Sequence, residues 1–122
     1  MFRILPVALL FAPSLAGQDE IRLLFTGDAI VNRPFLAADD AGLRAVLHRV
    51  ANADAAFLNL ETILHDFESP GAAFSGGAYM ASPRSIAAEL KAAGFDLAST
   101  ANNHAFDYGA EGLTSTLRAL DA

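Results

Sequence analysis

The sequence predicts an α/β fold, a parallel sheet with helices packed on its faces. Three observations predict it. Short, nearly continuous apolar runs occur at 21–28, 54–61 and 95–100, the texture of strands buried on both sides. Each is followed by a stretch whose apolar residues recur at helical spacing. The resulting order of strand, helix, strand, helix, strand, helix implies right-handed crossovers between parallel strands.

The elements follow in turn. "IRLLFTGD" reads as a buried strand stopped by Gly27. In "DDAGLRAVLHRVANA" the residues Leu43, Val46, Leu47 and Val50 stand at i, i+3, i+4 and i+7, one face of a helix. "DAAFLNLE" is the second strand, and a Gly- and Ser-containing loop runs from 66 to 82. Ser82 is the expected N-cap of the next helix, with Pro83 at its first position. That helix, "PRSIAAELKAA", buries Ile86 and Leu90 and stops at Gly94. "FDLAST" is the third strand, and the last helix carries Leu113, Leu117 and Leu120 along one face. Three strands make a thin sheet, and the last helix reaches residue 122 with no Gly or Pro stop signal. We therefore expect 17–122 to be the N-terminal part of a larger domain whose C-terminal half is absent.

Residues 1–16 combine Arg3, an apolar run and the small residues Ser14 and Ala16, the pattern of a secretory leader cleaved after Ala16. The run is shorter than the ~20 residues that span a bilayer. Export to the periplasm or cell envelope is the expectation. The chain has 122 residues, no cysteine and a net charge of −6, which excludes disulfides and thiolate zinc sites. It has no basic cluster, so nucleic acid is not an expected partner.

In open α/β sheets, ligands bind beyond the carboxyl ends of the strands. Those ends carry Asp28 after the first strand, Asn59 and Glu61 at the second, and Asn102, Asn103, His104 and Asp107 after the third. Carboxylate, amide oxygen and imidazole together are a ligand set for Mg²⁺, Mn²⁺, Fe or Zn²⁺. Each residue also has a plainer role: Asp28 as a turn cap, Glu61 as the strand's exit to solvent, Asn103 and His104 as caps of the last helix. Asn59 interrupts a buried strand and needs polar partners there. The site reading rests on all three strand ends carrying such groups. His48 on a helix and His65 in a loop have no such company and receive no role.

"FTGDAIVNR", "NLETIL" and "ANNHAFDYG", in this order and spacing, resemble the capsule-synthesis CapA family. Its members are bacterial, often exported, linked to poly-γ-glutamate capsule synthesis, and similar in fold to calcineurin-like metallophosphoesterases. The resemblance implies a divalent metal (Mn, Zn, Fe or Mg) with Asp28, Glu61 and Asn103 among its ligands. It implies His104 as the catalytic group that assists the leaving oxygen. Arg33 and Asn59 are implied in holding substrate, a phosphate ester or an anionic polymer. Asp107 and Gly109 are assigned to shaping the turn. Capsule-synthase membrane proteins are possible partners, and the family's second half supplies further histidine-bearing motifs that complete the metal site. The function expected is that of an exported, metal-dependent phosphoesterase-like hydrolase, inactive as this piece alone. The alternatives are a non-catalytic module that binds envelope polymer or a synthase partner, and an inactive truncated fragment.

Overall fold

The computed structural model describes residues 20–75 and 77–122; the leader read at 1–16 lies outside them. The α/β expectation holds. Strands β1 (Leu23–Ala29), β2 (Ala55–Leu60) and β5 (Leu97–Ser99) form a parallel sheet in the order β1-β2-β5. Helices α1 (Ala41–Ala51), α2 (Ile86–Ala93) and α3 (Gly109–Leu120) connect and follow them. A second, two-stranded parallel sheet pairs β3 (Ile63–Leu64) with β4 (Ala81–Ser82), so the 66–82 loop is anchored at both ends. No helix among the described residues is long and apolar enough to cross a membrane.

Period two sorts β2 onto two faces. Ala56, Leu58 and Leu60 are buried and join Leu64, Ile86, Ala87 and Leu90 in the core. The opposite face carries the register row Phe25–Phe57–Leu97, in which Phe25 is 70% and Leu97 61% exposed. The two rings stack at 5.7 Å between centroids, tilted by 47°.

One irregularity sets up the site. Phe25 pairs with Phe57, yet Asp28 pairs with Asn59, so β1 spends Thr26 and Gly27 where β2 spends Leu58 alone. This is a β-bulge, a device that re-aims side chains. With regular pairing Asp28 would oppose Leu60 on the core face. The extra residue moves it to the face of Asn59 and returns Ala29 to the core side beside Leu60.

One helix start and two helix faces depart from the sequence reading. Asp40 caps α1, its side chain accepting a bond from the Leu43 N–H at 2.7 Å. Ser82 caps nothing. It lies buried in β4, where its hydroxyl bonds the Val31 carbonyl and meets the Thr62 hydroxyl at 2.9 Å. Residues 83–85 form a tight turn closed by Ile86 N–H to Pro83 C=O, so α2 begins three residues later than expected. Its end is as expected, with Gly94 at φ 99°. A side chain there would meet the backbone of Ala51 at 3.4 Å. In α3 the buried residues are Gly112, Ser115 and Thr116, whereas Leu117 is 45% exposed. Small residues win that face because α3 lies directly on β3. A Cβ on Gly112 would stand 3.1 Å from the Ile63 side chain, and the Thr116 hydroxyl accepts the Leu64 N–H at 2.8 Å. Leu120 and Ala119 still reach the core. On α1 the predicted apolar face is buried at Val50 but not at Val46, which is 49% exposed.

Candidate functional site

The three strand ends meet in one hydrogen-bonded row. The Asn59 amide donates to Asp28 Oδ1 at 2.8 Å, and its oxygen accepts from the Asn102 amide at 3.1 Å. Asn102 also donates to the Leu60 carbonyl at 2.9 Å and accepts the His104 N–H at 3.0 Å. Both ends of the Asn59 amide are therefore committed, which answers the requirement that a polar group in a buried strand find partners. His104 Nδ1 meets Asp107 Oδ2 at 2.8 Å. That oxygen also accepts the Met80 N–H at 2.7 Å, and the Asp107 carbonyl accepts the Ala72 N–H at 2.8 Å.

Glu61 stands just past β2, on the Asn59 side of the strand, with its N–H on the Ala29 carbonyl at 3.2 Å. Its carboxyl faces Asp28. Partial burial pushes it above the ordinary 4.5; Asp28 adds to this through a hydrogen bond and its charge, and nearby His104 opposes it. A carboxyl whose proton affinity is raised by a second carboxyl beside it is relieved by a cation. The donor set thus fits two ligands of a hard divalent ion. Among the described residues no group of three acidic or histidine side chains converges at ligand distance.

The structure brings Asp28, Asn59, Glu61 and His104 together. Asn103 is exposed, and its side chain makes no hydrogen bond among the described residues. Arg33 is exposed, makes no ion pair among the described residues, and lines with Asp28 a groove of about 490 Å³ between β1 and α1. Two residues were underread in the sequence. Asn102 bridges β2 to the loop after β5. Asp107 is 2% exposed, too deeply buried for a turn residue alone. The signal was the His-x-x-Asp spacing, since a carboxylate three residues from an imidazole can reach it within one turn. Gly109, at φ 65°, does shape the turn into α3.

The remaining histidines differ from each other. His48 is exposed, and its hydrogen-bond neighbour is Asn52, one turn along the chain. His65 is fully buried rather than looped out, packed on Tyr108 at 4.1 Å and Phe67 at 5.2 Å, with Nδ1 accepting the Phe67 N–H. It is a core residue that makes no hydrogen bond to the strand-end row among the described residues.

Fold and site together define an α/β protein with a carboxylate, amide and imidazole cluster at the carboxyl ends of parallel strands. Residues 22–122 match the family of bacterial capsule synthesis proteins, PGA_cap, and the chain belongs to it. This bears out the resemblance read from the three motifs. Two uncharacterized proteins of Sinorhizobium fredii (strain NBRC 101917 / NGR234), y4sH and y4uA, are each 37% identical over 107 residues. The match covers 84% of this chain and 23% of each relative, so the chain spans under a quarter of their length.

Proposed function

We propose that the protein is an exported, metal-dependent phosphoester hydrolase serving capsule assembly, and that this chain supplies one wall of its reaction centre. The observation that carries the reading is the continuous row Asp28–Asn59–Asn102–His104 across three strand ends. A structural cap would need one of these groups, not all of them. Asp28 and Glu61 would hold the divalent ion (Mn, Zn, Fe or Mg), with the exposed Asn103 amide offering a further oxygen. Bound there, the ion supplies an acidified water and neutralises charge on the phosphoryl oxygens.

This chain's own groups do the rest. Asn59 donates to Asp28 and fixes the plane of its carboxylate. His104 presents its ring beside the carboxylates and gives a proton to the departing oxygen. Arg33, free of ion pairs among the described residues, offers its guanidinium to an anionic group of the substrate. An anionic capsule polymer or a phosphate ester met during its assembly, at a membrane-bound synthase, suits that charge pattern.

The test is hydrolysis of p-nitrophenyl phosphate and its diester by the full-length protein, with Mn²⁺ or Zn²⁺ and after chelation. Turnover should vanish on chelation and fall about 10²- to 10⁴-fold in His104→Ala, the range of a lost general acid. Undiminished hydrolysis by a metal-free preparation overturns the reading. Intact capsule assembly by His104→Ala cells overturns it too, in favour of a binding module.

A further inference from the structure

The buried Asp107 carboxylate has more to do than close a turn. Its side chain is 1% exposed and that of His104 is 12% exposed, so the 2.8 Å contact between them is shielded from water. Asp107 Oδ2 receives the Met80 N–H at 2.7 Å as well. A backbone N–H can only donate, so the oxygen at this position must be an acceptor whatever its protonation. A carboxylate oxygen only accepts, so with Asp107 ionised its second contact, His104 Nδ1, is the donor. We propose that Asp107 is the positioning residue of the site: it holds His104 as the Nδ1–H tautomer and turns bare Nε2 toward the strand-end carboxylates.

The supports of Asp107 fit that task. Its carbonyl is held by the Ala72 N–H and its side chain by the Met80 N–H, both from the connection between β3 and β4. The His104 backbone is pinned separately, N–H to Asn102 Oδ1 at 3.0 Å. Ring and backbone of His104 are thus fixed by different partners, and the ring has one hydrogen-bonded orientation among the described residues. Neutral imidazole in water favours the other tautomer, with the proton on Nε2, so the arrangement is one the isolated side chain would not adopt by default. A group that must exchange a proton with a bound oxygen gains from having the same ring nitrogen always presented.

The Met80 contact yields a distinctive expectation for the conservative variant. In Asp107→Asn the amide oxygen takes the Oδ2 place, because the Met80 N–H rejects the NH₂ group there, and His104 keeps its Nδ1–H donor. In Asp107→Ala nothing accepts from Nδ1. The proposal rests on the hydrolase reading, in which His104 Nε2 takes up a proton and passes it to the departing oxygen, but its first readout needs no turnover.

The experiment is ¹⁵N NMR of the His104 ring at a pH where it is neutral. It is run on the parent, Asp107→Asn and Asp107→Ala, with far-UV circular dichroism to confirm folding. Parent and Asp107→Asn should show a protonated Nδ1 and a bare Nε2, and Asp107→Ala should show the reverse. A bare Nδ1 in the parent overturns the proposal. The second readout is a double-mutant cycle on hydrolysis. Asp107→Ala should lower kcat about 10²-fold with KM little changed, and have no further effect once His104 is Ala. An equal fall in the His104→Ala background would make Asp107 merely structural and also overturns it. Should the tautomer be as stated while no phosphoester is hydrolysed, the positioning role stands and the hydrolase reading falls. Hydrolysis with the opposite tautomer leaves the hydrolase reading standing and removes the positioning role.

Discussion

Replacing Thr116 with Val tests whether the small-residue face of α3 is held to β3 by a specific bond rather than by fit alone. Thr116 is fully buried, and Val copies its shape. The hydroxyl accepts the Leu64 N–H at 2.8 Å and donates to the Gly112 carbonyl at 3.0 Å. Val removes both and leaves the Leu64 N–H, at a residue with 0% exposure, without an acceptor. Leaving one buried donor unmade costs about 1–3 kcal/mol. The Gly112 carbonyl loses little, since helical carbonyls keep their backbone partner. The expected loss is therefore about 2 kcal/mol, a large share of the roughly 5–15 kcal/mol that holds a domain together. Thr116→Ser keeps the hydroxyl and gives up one methyl, worth about 0.8 kcal/mol. Urea unfolding followed by far-UV circular dichroism measures both. A Thr116→Val loss under about 0.5 kcal/mol, or a larger loss for Ser than for Val, would refute the argument. The bond matters to function because α3 starts one residue after Tyr108, at the end of the loop that carries His104.

Glu61→Gln should raise the melting temperature at pH 7 in the presence of a chelator. The sign follows from linkage: Glu61 is pushed up from 4.5, so the folded chain binds that proton more tightly than the unfolded one. Its contribution is fully present below 4.5 and is lost as pH rises through the raised value, so removing the ionisable group helps only above that window. A variant no more stable at pH 7 than the parent would show that Asp28 and Glu61 do not oppose each other. Gly94→Ala places a Cβ at φ 99° against Ala51, and should cost about 1–2 kcal/mol by denaturant titration. A neutral result would mean that the end of α1 moves freely. Asn59→Leu should leave the sheet intact while weakening Mn²⁺ binding by calorimetry about tenfold, through loss of the bond that orients Asp28. Unchanged affinity would remove Asn59 from the site.

The parts of this molecule that were legible in the sequence are those fixed by short-range periodicity. Leu58 and Leu60 alternate with Asn59 and Glu61, so the core side and the polar side of β2 can be read residue by residue. Gly94 announces a helix end because few other residues tolerate its dihedral. The misreadings arose where a distant partner decides. Ser82 carries a perfectly good capping side chain, but β3 recruits its backbone and Thr62 and Val31 take its hydroxyl. The leucines of α3 outline the larger apolar stripe, yet β3 approaches so closely that Gly112 and Thr116 are the residues that meet it. Asp107 looked like turn punctuation because the loop end at Met80 that shares its carboxylate is 27 residues away.

The bulge in β1 is the sharpest case, and it explains why the site exists at all. Alternation counted from Phe25 puts Gly27, not Asp28, on the face of Phe57 and Asn59. Taken literally, that parity buries the Asp28 carboxylate against Leu60 and the core, an arrangement costing several kcal/mol unless the group were neutral or paired. One extra residue in β1 satisfies both demands, since Asp28 turns outward to Asn59 while Ala29 turns inward to Leu60. No pattern within "LLFTGDA" reveals this, because the shift is a property of its pairing with "AAFLNL". The sequence can nominate Asp28 by its place at a strand end, but only the register between two segments some thirty residues apart decides which side of the sheet receives its charge.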